Sequence, residues 1–364
     1  MQNRRKRKLT IIFSFTILVL FVIFLGLVTP TTITVHGVEN NRGIALIDGE
    51  TGMLIYGENQ DVQKEMASTT KIFTAYFLLE KCQKDGISLK SEYKIKPQWT
   101  GIEGSSVYLM PDEVVSIEEL LYGLMLRSGN DCAVALAEIV FGSEGAYVEY
   151  ANKRLKEMGF EKTTLQNPHG LPAQNHQTTA KELAQFSALA MKNPDFAKIV
   201  SSKSYNGKRT HYANKNKILQ NVEGGNGVKT GYTKSAGRCL VSACKRDGKQ
   251  IVLATLNTYD MFERSKAHLD SFFQKYEYID ISGKLEESAI PLDILGVKAE
   301  IGLKSQATQI PVPKGEDIRV DVKTLKELPF YTKSGKYVGN IEIYAGNRLI
   351  FNEKLYTIKT SDVI

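Results

Sequence analysis

The sequence predicts an α+β protein: one antiparallel sheet carrying a cluster of helices, followed by a small all-β domain and preceded by an N-terminal membrane helix. Three observations carry this. Strand-like apolar runs at residues 43–56 and 237–256 bracket a block of helix-patterned segments. From about residue 281 the apolar runs become short and are separated by Gly, Pro and Lys turns. Residues 9–28 form a stretch of twenty without a charge, long enough to cross a bilayer.

The resulting organisation is a basic cytoplasmic flank at residues 1–8, a transmembrane anchor or signal at 9–28, a linker at 29–42, a main domain at 43–280 and a β-rich domain at 281–364. A chain of 364 residues is long enough for two domains and a large core. The net charge is +7, but Arg4, Arg5, Lys6, Arg7 and Lys8 stand together before the apolar run with no acid among them. Without them 42 basic residues face 40 acidic ones. The excess therefore marks a membrane flank, and nucleic acid is not an expected partner. Basic residues ahead of the apolar run direct the remainder across the membrane. No small-x-small cleavage site stands near residues 26–34, so an uncleaved anchor is expected over a signal peptide.

Cys82, Cys132, Cys239 and Cys244 form no C-x-x-C and have no histidine at metal spacing. Cys239 and Cys244 are five apart in one strand and so face opposite sides of it. All four read as buried thiols.

In chain order, residues 43–56 are a strand, a Gly49–Gly52 turn and a strand. Ile72, Ala75, Tyr76, Leu78 and Leu79 then make a helical stripe. Ser116 and Glu119 are spaced as a capping box before an apolar helix at 120–127. Further helices are expected at 130–141, 145–158 and 179–191, with Gly142, Gly159 and Asn193-Pro194 as stops. Residues 237–243 and 250–256 are strands joined by a turn at 246–249, and 261–278 reads as a final helix.

Three short motifs carry chemistry. In Ser68-Thr69-Thr70-Lys71, a helical turn puts the lysine on the same face as the serine, where an amine can take the hydroxyl proton. Free N–H groups at a helix start favour an anionic transition state. Ser128-Gly129-Asn130 lies between two helices and offers a hydroxyl and an amide. Lys229-Thr230-Gly231 precedes a strand and offers a cation, a hydroxyl and room for close approach of a ligand backbone. Each alone is common: the first is also an N-cap serine with a solvated lysine, the second an ordinary cap.

Their order and spacing together, with Gly227-Val-Lys-Thr-Gly-Tyr-Thr-Lys-Ser-Ala-Gly237, Arg127-Ser-Gly-Asn-Asp-Cys-Ala-Val-Ala-Leu-Ala-Glu138 and Asn167-Pro-His-Gly-Leu171, resemble the penicillin-recognising serine enzymes. The chain is identified as similar to the D-alanyl-D-alanine carboxypeptidases, the low-molecular-mass penicillin-binding proteins, from about residue 43 to 278. The resemblance implies a β-lactamase/transpeptidase-like fold, and the β-rich tail looks like the C-terminal domain many of these proteins carry. It implies that Ser68 attacks the penultimate D-alanine carbonyl of a peptidoglycan stem peptide ending in D-Ala-D-Ala, with Lys71 as base. Lys229 would be the nearby cation that depresses the Lys71 pKa. Ser128 would pass the proton to the leaving amine and Asn130 would hold the substrate amide. The backbone N–H groups of Ser68 and Tyr232 would form the oxyanion hole, worth roughly 3–4 kcal/mol per donor. Lys229 and Thr230 would face the substrate carboxylate, with Gly231 admitting the ligand backbone and Arg264 as a further carboxylate ligand. β-Lactams would be inhibitors. No metal or other cofactor is implied, and His169 and His176 are implied to be structural.

Asp112-Glu113 departs from the usual Gly-Glu of such chains, in a turn remote from the chemistry. The amphipathic C-terminal membrane helix of the family is not evident in residues 357–364, which leaves the N-terminal segment as the expected attachment to a bacterial cell membrane, with the catalytic domain outside. The alternatives are a serine β-lactamase, which needs a carboxylate for deacylation that residues 160–171 do not obviously supply, and a non-catalytic wall-binding scaffold.

Overall fold

A computed structural model describes residues 41–293 and 297–359. The expected flank, membrane segment and nearly all of the linker lie outside the described residues. Residues from Arg42 onward form one compact unit.

The chain opens with the expected hairpin, β1 (Gly43–Asp48) and β2 (Leu54–Glu58). A 3-10 turn at Ala67–Thr70 runs into α1 (Lys71–Asp85), which stops at left-handed Gly86. Strands β3 (Glu92–Lys94) and β4 (Val114–Ser116) pair across a long loop. Helix α2 (Ile117–Tyr122) starts where Ser116 Oγ accepts the Glu119 N–H, as the capping pattern predicts. It passes into a π-turn at Gly123–Arg127. Helices α3 (Asn130–Phe141), α4 (Glu144–Glu157) and α5 (Ala180–Met191) follow, with Ser143 and Thr179 as N-caps. Then come α6 (Pro194–Ser201), the small hairpin β5 (Ser204–Asn206) and β6 (His211–Ala213), and α7 (Ile218–Asn221).

Strands β7 (Gly225–Thr233), β8 (Gly237–Arg246) and β9 (Lys249–Leu256) complete a five-stranded antiparallel sheet in the order β2-β1-β9-β8-β7. The two ends of the sequence pattern thus meet in space, because β1 pairs with β9 from Gly43↔Leu256 to Asp48↔Ile251. Strand alternation divides the sheet between two cores. Ala45, Ile47, Cys239, Val241, Ala243, Val252 and Ala254 face the helical cluster. Ile44, Leu46, Leu240, Cys244, Ile251 and Leu253 face Met261, Leu269 and Phe272 of α8 (Met261–Lys275). Cys239 and Cys244 therefore lie on opposite faces, and all four cysteines are buried and free.

The expected helix at 261–278 is too long by three residues. It ends at Lys275, and β10 (Tyr276–Asp280) begins there because Tyr276 to Asp280 pair antiparallel with a later strand. The period-two repeat of Tyr276 and Tyr278 was the available signal. A short α9 (Ser282–Glu287) precedes β11 (Ile290–Pro291), β12 (Lys298–Leu303), β13 (Gln309–Pro313), β14 (Ile318–Thr324), β15 (Tyr337–Ala345) and β16 (Arg348–Lys359). Strand β13 pairs with β10. The others form an antiparallel sheet in the order β11-β12-β16-β15-β14 over a core that includes Leu285, Ile301, Ile341, Ile343 and Leu355. Among the described residues, no helix is long and apolar enough to cross a membrane.

Candidate active site

Ser68 occupies the 3-10 turn rather than the first turn of α1, and Ala67 before it takes a left-handed φ of 47°. The turn is clamped from outside. Thr70 Oγ donates to Ala67 O (2.7 Å) and lies 2.8 Å from His176 Nε2. His176 Nδ1 accepts the Gln166 N–H (2.9 Å), so the ring carries its proton on Nε2 and donates to Thr70. Burial pushes His176 down to about 4, which keeps it in this neutral form. Gly170, at φ +91°, packs so closely that a Cβ there would lie 2.0 Å from Ala67 O.

Lys71 is fully buried, and among the described residues no carboxylate bonds it. Its Nζ lies 3.1 Å from Ser68 Oγ, 2.7 Å from Asn130 Oδ1 and 2.6 Å from His169 O. Burial, then the charge of Lys229, hold its pKa well below the usual lysine value. A neutral amine has two N–H donors and one lone pair. The Asn130 and His169 carbonyl oxygens can only accept, so they take the two N–H groups. Ser68 Oγ is the one partner able to donate, so in the neutral amine the lone pair would face it. The contact set therefore suits an amine poised to receive the Ser68 proton.

The second motif sits where the α2 helix widens into the π-turn and breaks. Ser128 ends that turn with φ +67°, and its buried Oγ has no hydrogen-bond partner among the described residues. π-Turns and orphaned buried hydroxyls both concentrate at functional sites. Asn130 N donates to Ser105 O (2.7 Å) and its Nδ2 to Glu103 O (2.5 Å), which fixes Oδ1 toward Lys71. The loop supplying those carbonyls is pinned by the fully buried Asp131, whose carboxylate accepts from Val107 N, Leu109 N and Ser106 Oγ.

Strand β7 passes directly against the Ser68 turn. A Cβ at Gly231 would lie 2.9 Å from Ser68 N and 3.0 Å from Thr69 N, so only glycine permits this approach. Lys229, 2% exposed, donates to Thr230 O (2.9 Å). Burial, then the charge of Lys215, lower its pKa to about 7. Thr230 is half-buried, and Tyr232 stands 65% exposed beside them.

Residues 33–260 match the family model described as D-alanyl-D-alanine carboxypeptidase. The chain belongs to the D-alanyl-D-alanine carboxypeptidase family. It is 26% identical over 309 residues to the carboxypeptidase DacF of Bacillus subtilis, covering 83% of this chain and 75% of that protein. It is 28% identical over 366 residues to DacC of Escherichia coli, covering 92% and 89%. The crystal structure of penicillin binding protein 5 from Haemophilus influenzae superposes with a TM-score of 0.74 at 24% identity, covering 87% and 96%. The protein is accordingly a serine-type D-Ala-D-Ala carboxypeptidase of peptidoglycan metabolism, with a mixed helix-and-sheet fold.

The structure of this carboxypeptidase joins Ser68, Lys71 and Asn130 by hydrogen bonds and brings Gly231 against them. Arg264 is not joined to them. It pairs with Asp260 through Nη2–Oδ2 (2.9 Å) and Nε–Oδ1 (3.2 Å), and no hydrogen bond links it to Lys229 or Thr230 among the described residues. Three contributors carried no sequence signal. The carbonyls of His169 and Glu103 act as backbone groups, so any residue type would serve. Lys215 lies close enough to Lys229 to lower its pKa, and Arg127 does the same to Lys215, adding positive charge around the site.

Proposed function

We propose that Ser68 is the nucleophile with which this enzyme removes the terminal D-alanine from peptidoglycan stem peptides. Ser68 Oγ attacks the carbonyl carbon of the penultimate D-alanine while its proton moves to Lys71 Nζ. The backbone N–H groups of Ser68 and Tyr232 receive the oxyanion. Ser128 relays the proton to the departing D-alanine nitrogen, the C–N bond breaks, and an ester on Ser68 remains. Water then hydrolyses that ester. Asn130 orients the substrate amide, and Lys229 with Thr230 holds the terminal carboxylate, aided by the surrounding cations. The Lys71 contact set is the single observation that carries this reading, because two of its three partners can only accept protons and the third is Ser68.

β-Lactams would acylate the same serine. Residues 281–364 would be a β-rich domain separate from the catalytic domain at 43–280. The chain would be held at a bacterial cell membrane by residues 9–28, with both domains outside.

The test is D-alanine release from a D-Ala-D-Ala peptide by the wild-type protein and by Ser68→Ala. Release is expected to fall to background in the variant while its circular dichroism and melting temperature match wild type. Wild-type release from Ser68→Ala would remove the serine from the reaction.

A further inference from the structure

One end of the C-terminal sheet presents an unusual surface. Leu325, Phe330, Tyr331 and Tyr337 stand in solvent, with Phe330 57% and Tyr331 71% exposed. Strand register gathers them. Leu325 N donates to Val338 O (3.0 Å), Tyr337 lies opposite Tyr356, and Gly335 N donates to Thr357 O (2.7 Å), so residues 326–336 fold back on the end of β16. Leu328 is buried and its N–H reaches Pro291 O (3.0 Å), while Phe330 N donates to Asp293. The loop is thus anchored by one apolar residue and turns its two aromatic rings outward, where they meet edge-to-face with centroids 5.5 Å apart.

Lys326, Lys333 and Lys336 are exposed on the same loop and make no ion pair among the described residues. Lys354 Nζ stands 5.8 Å over the Tyr337 ring. Residues 325–337 contain a single acid, Glu327. Outward aromatic and aliphatic side chains interleaved with these lysines, on an exposed loop end, match the interfacial zone of a bilayer. Rings sit at headgroup depth there, and lysines reach lipid phosphates along their apolar stems. A second copy of this chain would bring like charges together. A polyanion without apolar character would leave Leu325 and Phe330 in water.

We propose that this loop end docks on an anionic lipid surface, with Phe330 and Tyr331 seated among the headgroups and Lys326, Lys333, Lys336 and Lys354 on their phosphates. This contact is independent of the Ser68 chemistry.

The test is lysine acetylation footprinting, read by mass spectrometry. The full chain is placed in lipid nanodiscs of neutral phosphatidylcholine alone or with added phosphatidylglycerol, with exposed Lys90 and Lys153 as internal references. Anionic discs are expected to reduce labelling of Lys326, Lys333, Lys336 and Lys354 several-fold, and high salt is expected to restore it. Phe330→Ser with Tyr331→Ser is expected to lose most of that protection while keeping wild-type release of D-alanine from a soluble peptide. Equal labelling in both discs overturns the proposal. So does protection that follows added peptidoglycan sacculi or protein concentration instead of lipid charge.

Discussion

Lys71 Nζ and Asn130 Oδ1 lie 2.7 Å apart across 59 residues of sequence, buried in the helical cluster. The bond fixes the register of α1 against α3. It also takes one amine proton, and the His169 carbonyl takes another, so a neutral Lys71 would turn its lone pair to Ser68. Burial supplies the pKa depression that makes the lone pair available. Burial is the largest cause of that depression, ahead of the charge of Lys229.

Ser128→Ala is expected to separate stability from activity. Its Oγ is buried without a partner among the described residues, so Ser128→Ala removes an unpaired polar atom. The variant is expected to melt at or above the wild-type temperature, because deleting an unsatisfied buried group recovers about 1 kcal/mol. Its kcat is expected to drop about 10²–10⁴-fold, the usual worth of a positioned proton carrier. A thermal scan and a D-alanine release assay on one sample check both. A destabilised, fully active variant would assign Ser128 a structural role.

The roles proposed for the two lysines give the pH profile opposite limbs. The proposed base Lys71 must be neutral, so activity is expected to rise with pH through its lowered pKa. The proposed carboxylate ligand Lys229 must be charged, so kcat/KM is expected to fall as pH rises through about 7. A bound substrate carboxylate raises the Lys229 pKa, and kcat is therefore expected to hold to higher pH than kcat/KM. Lys229→Arg keeps its charge throughout and is expected to remove the falling limb. A limb near 7 that survives in Lys229→Arg would belong to another group.

Acid is expected to loosen the enzyme through His176 and His169. Burial lowers His176 from 6.5 to about 4 and His169 from 6.5 to about 3. The unfolded chain binds protons that the folded chain refuses, so stability is complete above about 6.5 and declines as pH falls toward those lower values. The decline approaches about 1.4 kcal/mol per pH unit for each ring. Urea unfolding at pH 7 and pH 5 should show about 2 kcal/mol lost per histidine. In His176→Gln the loss between the two pH values should shrink by about that amount. An unchanged difference would mean that His176 is protonated in the folded state.

Gly231 is expected to tolerate no side chain. A Cβ would lie 2.9 Å from Ser68 N, and the obstacle is backbone that cannot rotate away. Gly231→Ala must move β7 off the Ser68 turn, and misplacement on this scale can cost about 10²-fold. The melting temperature is expected to change little, since β7 is an edge strand of the sheet. Acylation by a β-lactam measures the effect directly. Wild-type acylation would mean that the strand can shift without disturbing the site.

The parts legible in the sequence were those encoded by side-chain pattern. Thr179, Ser116 and Gly142 mark helix ends by type, and the alternation in residues 237–256 separates Cys239 from Cys244. Ser68, Lys71 and Asn130 were legible because they meet through their side chains. Glu103 and His169 were not, because they contribute carbonyl oxygens. Asp131 carried no sequence signal, because the Val107 and Leu109 N–H groups reach its carboxylate only through the fold. Tyr276 was absorbed into a helix because its strand partner, Pro313, lies far ahead in the chain.

The most direct test of Ser68 acting through Lys71 is intact mass after mixing with benzylpenicillin, for wild type, Ser68→Ala and Lys71→Met. One covalent adduct is expected on wild type, none on Ser68→Ala, and an adduct forming at least about 10²-fold more slowly on Lys71→Met. An adduct on Ser68→Ala, or wild-type acylation in Lys71→Met, would contradict this chemistry.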